Sequence, residues 1–262
     1  MTPHLLAIYA QTIRELTPFG NDNPHLIDAL AMDRFEANGR QVEMIYAPFD
    51  HVNQNARIVI VGMTPGRFQA AAALRAAQQA LQSGRSVEQA AMEAKVFASF
   101  SGEPMRGNLV RMLDLIDVAK LLGVNSTASL WNGNTDLVHF TSALRYPVFV
   151  DGKNWSGQPD MVRIPRLRQW LETYTGTELA LLRDALIVPL GPKVAAAMRH
   201  LAEQGMIDGA RVLDGLPHPS GANAERVAFF LRHKPAHLCS AKTNTATLDT
   251  AREALCARVS RL

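Results

Sequence analysis

Two cysteines in 262 residues, Cys239 and Cys256, are too few to build a four-ligand zinc or iron-sulfur site. The eight histidines are scattered, and none pairs with Cys or Glu at metal spacing. No metal and no cofactor are therefore expected, and the two thiols are expected free and buried in a reducing compartment. No stretch approaches the roughly 18 apolar residues of a membrane span. The start, Met1-Thr-Pro-His-Leu-Leu6, lacks the basic head and apolar run of a secretory signal. A cytoplasmic monomer away from membranes is the expectation. Long basic runs are missing too. The net charge is only +3, and Arg67, Arg106, Arg145, Lys153, Arg163 and Arg226 sit singly beside Gly/Pro turns. Such loop-borne cations suit phosphate contacts, or simply a solvated surface. Neither G-x-G-x-x-G nor G-x-x-x-x-G-K occurs, so a nucleotide-phosphate loop is excluded.

What is present is alternation. Four short apolar runs read as buried strands: Arg57–Gly62, Asp136–Phe140, Ala185–Leu190 and Arg211–Leu216. Helical patterns separate them, over Phe68–Leu81, Leu109–Leu122, Ile164–Tyr174 and Val194–Glu203. A helix begins the chain on Leu5, Leu6, Tyr9, Ile13 and Leu16, and another ends it on Leu248, Leu255, Val259 and Leu262. Strands without a polar face, alternating with helices, predict an α/β fold. The expected form is one domain over 1–262, a three-layer α/β/α sandwich around a central, mainly parallel four-stranded sheet. Ligands of such sheets bind beyond the carboxyl ends of the strands.

Two turns stand at such ends. Gly62-Met-Thr-Pro-Gly66 follows the first strand, and its glycines and proline permit a tight turn with close backbone approach. Leu216-Pro-His-Pro-Ser-Gly-Ala-Asn223 follows the last. There a histidine is aimed from a backbone stiffened by a proline on each side. Ser220, Gly221 and Asn223 then make a small turn whose donors suit a phosphate.

Together these turns resemble the uracil-DNA glycosylase superfamily, in which a G-x-[D/N/A]-P-[G/Y] turn pairs with a late H-P-S turn. Ile45-Tyr-Ala-Pro-Phe-Asp-His51 resembles the I-Y-N-P segment of its single-strand-selective monofunctional branch. Phe100-Ser-Gly-Glu103 with Gly107-Asn-Leu109, Phe140-Thr-Ser-Ala-Leu144 and Asp151-Gly-Lys-Asn-Trp155 match further family segments, so the likeness runs from about Ile45 to Phe230. It implies base flipping and hydrolysis of the N-glycosidic bond in DNA that is single-stranded or locally opened. It also implies His218 as donor to the departing base and Phe100 as the aromatic stacked on it. Met63, Pro65 and Ser142 fall at base-contacting positions. Arg67, Lys153, Ser220, Gly221, Ala222, Asn223 and Arg226 fall where DNA is gripped. No matching position holds a nucleophilic lysine, so no lyase chemistry is implied.

Three positions depart from the family pattern. Thr64 replaces the Asp or Asn that holds the water, which moves the carboxylate role to Glu103. Ser142 (or Thr141) replaces the asparagine that reads uracil, which points to a modified or bulky pyrimidine, in repair or in defence against modified viral DNA. Ala222 replaces the Leu or Arg wedge. A catalytically silent DNA- or base-binding protein, an ordinary uracil-excising enzyme and a nucleotide- or sugar-processing enzyme remain alternatives.

Overall fold

The computed structural model describes residues 5–16, 26–98 and 103–262. It is a mixed α/β chain with two sheets. Its strands in chain order are β1 Ala31–Ala37, β2 Arg40–Ile45, β3 Ile58–Gly62, β4 Val138–Ser142, β5 Val148–Val150, β6 Lys153–Asn154 and β7 Leu186–Pro189. By contact the chain divides into two compact units. The first takes the described residues of Met1–Val52, Gly62–Ser99 and Thr141–Glu178, and the second those of Asn53–Val61, Phe100–Phe140 and Leu179–Leu262.

The second unit holds the parallel sheet, in the order β4-β3-β7. β3 pairs with β7 in parallel from Ile58↔Leu186 to Val61↔Pro189. Every residue of β3 and β7 is buried, as their uninterrupted apolar runs require of a sheet covered on both faces. The helix Met105–Leu115 presents Leu109, Met112 and Leu113 to this core at helical spacing. Val227 and Phe230 of Ala224–Phe230 and Leu255 and Val259 of Thr245–Val259 complete it.

The expected fourth strand, Arg211–Leu216, is reduced to a single parallel bridge between Ile187 and Val212. The reason is local. A 3-10 turn, Gly209–Arg211, ends just before it, and Gly215 takes φ +128° just after. The Val212 carbonyl accepts from Arg258 Nη1 at 2.5 Å instead of from a strand. The helix expected over Leu109–Leu122 breaks in two, Met105–Leu115 and Val118–Leu122, because Asp117 adopts φ +64°. Asp is one of the few residues that tolerate that region. Cys239 and Cys256 are free but half-buried rather than buried.

The first unit contains a sheet the strand pattern did not announce, antiparallel in the order β1-β2-β5-β6. Tight turns close its hairpins, with Asn38-Gly39 and Asp151-Gly152 all at positive φ. Residues 67–98, rich in alanine, form two helices packed on each other, Arg67–Gln82 and Val87–Ala98. Ala70, Ala73, Ala77 and Ala80 of one and Ala90, Ala91 and Ala94 of the other are buried. The expected helix Ile164–Tyr174 runs as α over Pro165–Trp170 and continues as a π-helix over Leu171–Gly176. No helix among the described residues is long and apolar enough to cross a membrane.

Candidate functional site

In the first unit the turn after β3 is laced to two segments far along the chain. The Gly62 carbonyl accepts from Ala143 N at 2.8 Å, and that of Met63 from Leu144 N at 2.9 Å. Thr64 Oγ1 donates to the Tyr146 carbonyl at 3.0 Å and accepts from Val148 N at 3.2 Å. Its only proton is therefore committed to the backbone. Asn154 Oδ1 accepts from Arg67 N at 3.0 Å, where the helix Arg67–Gln82 begins. Arg67 Nη2 donates to the Gly152 carbonyl at 2.6 Å, and its guanidinium lies 5.1 Å from the centre of the Phe149 ring. Four of the segments that carry the family resemblance thus meet here: 62–66, 140–144, 151–155 and, through β2 and β5, 45–51.

Of the residues expected to face the base, Pro65 and Ser142 are buried and Met63 is half-buried. The Ser142 and Ala143 carbonyls both accept from the Thr175 hydroxyl at 2.9 Å. That hydroxyl comes from the π-helix, an irregularity that often marks functional positions. Lys153 is exposed.

In the second unit the two remaining segments meet. Asn108, buried, donates from Nδ2 to the Pro219 carbonyl at 2.8 Å. A Cβ on Gly221 would stand 3.6 Å from Pro104 Cγ. His218 is half-buried. Its Nδ1 accepts from Ser220 N at 3.2 Å, which places the ring proton of the neutral form on Nε2. Burial lowers its pKa below the ordinary 6.5. The ring packs on Gly191, at the start of the helix Pro192–Glu203, where an added Cβ would lie 3.3 Å from His218 Cβ. The partial positive charge of that helix start also favours the neutral ring.

Ser220 Oγ accepts from Asn223 Nδ2 at 3.2 Å, and Asn223 Oδ1 accepts from Arg226 Nη1 at 2.7 Å. Arg226 Nη2 also donates to the Lys242 carbonyl at 3.1 Å. Like Arg67, it shapes its own loop. Gly221 and Ala222 are exposed. Glu103 is also exposed, at 60% of its side chain; it accepts from Gly107 N at 3.1 Å and pairs with Arg106 Nε at 3.4 Å. A Cβ on Gly107 would stand 2.8 Å from Glu103 Oε2 and would push the carboxylate aside. Phe100 lies outside the described residues. No group of three or more His, Cys, Asp or Glu among the described residues could hold a metal ion.

The chain is 35% identical over 197 residues to the uncharacterized protein YoxB of Bacillus subtilis (strain 168), a match covering 74% of this chain and 77% of YoxB. The chain belongs to the YoxB family. No family model matches it, and no solved structure does.

This YoxB-family chain has a second polar centre, in the first unit, which joins Tyr46, Asp50 and Thr141 of the matched segments to Arg145 and to two residues outside them, Lys95 and Glu178. Lys95 is 5% exposed and Glu178 2%. Lys95 Nζ donates to Glu178 Oε1 at 2.9 Å and to the carbonyls of Phe49 and His51 at 3.1 and 2.6 Å. Glu178 Oε2 accepts from Thr141 Oγ1 at 2.8 Å, with Arg145 Nε at 3.4 Å. Arg145 Nη2 also donates to the Asp50 carbonyl at 2.6 Å. The Asp50 carboxylate accepts from Tyr146 OH at 2.6 Å and from Tyr46 OH. Two acids and two bases balance, which is how buried charge is tolerated. Desolvation lowers Lys95 to about 8. Burial, then the Asp50 charge, raises both tyrosines. The cluster fixes the loop after β2 and the end of β4, which leads into Ser142. Its charged members read as surface residues in the sequence; only their partners, most of them far along the chain, make them interior.

Proposed function

We propose that this chain is a monofunctional DNA glycosylase that extrudes a pyrimidine nucleotide and hydrolyses its N-glycosidic bond. A modified or bulky pyrimidine is preferred to plain uracil. One observation carries the reading: His218 Nδ1 accepts from Ser220 N, which leaves Nε2 to carry the proton of the neutral ring that burial favours. Such a donor stabilises charge developing on a departing base oxygen without first surrendering a proton. In the reaction the oxygen of water bonds to C1′. The bond from C1′ to the base breaks with its electron pair on the base, and the proton released by water neutralises that anion. The resemblance assigns the carboxylate for the cationic sugar to Glu103 and base contacts to Met63, Pro65, Phe100 and Ser142. It assigns backbone contacts to Lys153 and the Ser220–Asn223 turn. A serine at 142 is shorter than asparagine and leaves room for a substituent. The three-layer α/β/α sandwich, with Val212 and Leu213 as a rudimentary fourth strand, belongs to the same reading.

A second reading, a catalytically silent DNA-binding protein on this scaffold, is favoured by Thr64, whose hydroxyl is spent on Tyr146 and Val148. One experiment separates the two. Oligonucleotides carrying uracil, 5-hydroxymethyluracil, 5-hydroxymethylcytosine or its glucosylated form are incubated with the protein, then cleaved at abasic sites with alkali. Release is expected, with a substituted base ahead of uracil. His218→Ala should slow it by about 10²-fold while DNA affinity holds. Binding without release of any base favours the silent protein. Undiminished release by the variant removes His218 from the chemistry.

A further inference from the structure

We infer that Phe68 is a nucleobase-stacking residue, the centre of a single-stranded DNA-binding surface on the first unit. This rests on the reading of the chain as a DNA glycosylase and names a binding residue that the resemblance leaves unassigned. Phe68 is 72% exposed, the most exposed large hydrophobic residue among those described and the sole aromatic of that set. Burial would stabilise a phenylalanine by roughly 2–3 kcal/mol, and here that gain is forgone.

The helix Arg67–Gln82 buries Ala70, Ala71, Ala73, Leu74, Ala77, Ala80 and Leu81. Phe68 stands off that stripe, on the line through positions 72, 75 and 79, where Arg75 and Gln79 are exposed. A helix needing only solubility would carry a polar residue there. The mount beneath the ring is rigid. Gly66 N is held by Gln69 Oε1 at 2.7 Å, and Arg67 N by Asn154 Oδ1 at 3.0 Å. A ring presented from a fixed backbone loses little freedom when a base stacks on it.

The surroundings are cationic. Arg67 precedes the ring, Arg75 follows it by two helical turns, and exposed Lys153 adjoins Asn154, which anchors the helix start. The nearby Asp151 carboxylate is taken by Arg40 Nε at 2.8 Å and Gln41 N at 3.0 Å. An exposed aromatic amid cations, with the local acid neutralised, is the combination that holds single strands: phosphates meet the charges and a base meets the ring. Stacking accepts any base, so this residue would grip the strand rather than read it.

The test uses a fluorescein-labelled single-stranded oligothymidylate, with anisotropy titrations of wild type, Phe68→Ala, Phe68→Trp and Lys153→Ala over a range of salt. Phe68→Ala should weaken binding by about tenfold or more, in line with 1–3 kcal/mol per stacked base. Its salt dependence should not change, because stacking releases no counterions. Lys153→Ala should instead flatten the log-log slope by about 0.7. Phe68→Trp should retain affinity, and its fluorescence should be quenched as DNA is added. Equal affinity of Phe68→Ala and wild type overturns the inference while leaving the glycosylase reading intact. A wild type that does not bind the oligonucleotide overturns both. If Phe68→Ala changes the sedimentation of the protein but not its DNA affinity, the ring is a contact between copies and the inference fails.

Discussion

The side-chain amide of Asn108 donates to the carbonyl of Pro219 at 2.8 Å, tying the helix Met105–Leu115 to the loop that carries His218 one residue earlier. Asn108 Oδ1 meanwhile accepts from Arg111 Nη2 at 2.6 Å, so both ends of the amide are used in a buried place. Asn108→Leu keeps the volume and abandons the Pro219 carbonyl. Leaving one buried acceptor without a partner costs about 1–3 kcal/mol. A urea titration should record that loss, and base release should slow as the loop loosens. Asn108→Asp should fail equally, because an ionised carboxylate cannot donate to a carbonyl. Wild-type stability in Asn108→Asp would show that the bond does not anchor the loop.

Lys95 makes a prediction about pH. Its folded pKa, about 8, lies below its ordinary 10.5, so the folded state holds this proton more weakly than the unfolded state does. Below pH 8 both states are charged and the cost of burying the ammonium is fully present. Between about 8 and 10.5 the folded lysine releases its proton first, and stability rises with pH on this group's account. Tyr46 and Tyr146 act in the opposite sense above about pH 10. There the unfolded tyrosines ionise and the folded ones, raised by burial and by Asp50, do not. Lys95→Met removes the first effect only. It should cost about 3–5 kcal/mol at pH 7 by leaving part of the buried cluster unbalanced. The gap in unfolding free energy between wild type and variant should widen from pH 8 to 10. A constant gap across that range would mean that Lys95 titrates as it does in water.

The elements legible in the sequence are those whose neighbours in space are also neighbours in pattern. β3 and β7 show themselves as unbroken apolar runs, and the alanine stripe of Arg67–Gln82 shows itself by its period. The β1-β2 hairpin does not stand out in the sequence, although Asn38-Gly39 is a strong turn signal. β1 carries Asp33, Arg34 and Glu36, which look like a solvated loop. Their order comes from cross-strand and distant partners: Arg34 faces Glu43 in register, with Nε 2.7 Å from its carboxylate, and Asp33 accepts from Arg166 Nε at 2.6 Å. The candidate site divides in the same way. His218 and the Gly62–Gly66 turn are visible because proline and glycine punctuate them. The roles of Asn108, Thr175 and Glu178 are not, because they are set by carbonyls and hydroxyls that only the fold brings near, even though Asn108 lies in a matched segment.

Thr64 and Glu103 are the two groups to which the resemblance leaves the handling of water and the cationic sugar, and their surroundings differ. The Thr64 hydroxyl gives its proton to Tyr146 and takes one from Val148 N, so it joins the turn after β3 to β5. Replacing it by valine keeps the shape and strands a carbonyl and an N–H, at a cost of about 1–3 kcal/mol in stability. Little of that loss concerns the reaction. Glu103 is mostly solvent-exposed, accepts one backbone hydrogen bond, from Gly107 N, and has Arg106 Nε at 3.4 Å, which leaves lone pairs on its carboxylate for a second cation. Glu103→Gln keeps the hydrogen-bond acceptor and deletes the charge, so its effect falls on the transition state. Single-turnover base release should drop by about tenfold or more in Glu103→Gln, equivalent to roughly 1.4 kcal/mol of barrier. Thr64→Val should lose about threefold or less in rate. Urea unfolding should rank the two variants the other way round, with Thr64→Val the less stable. A larger rate loss in Thr64→Val, at an enzyme concentration where it is fully folded, would return the water to Thr64 and leave Glu103 as the cap of its own helix.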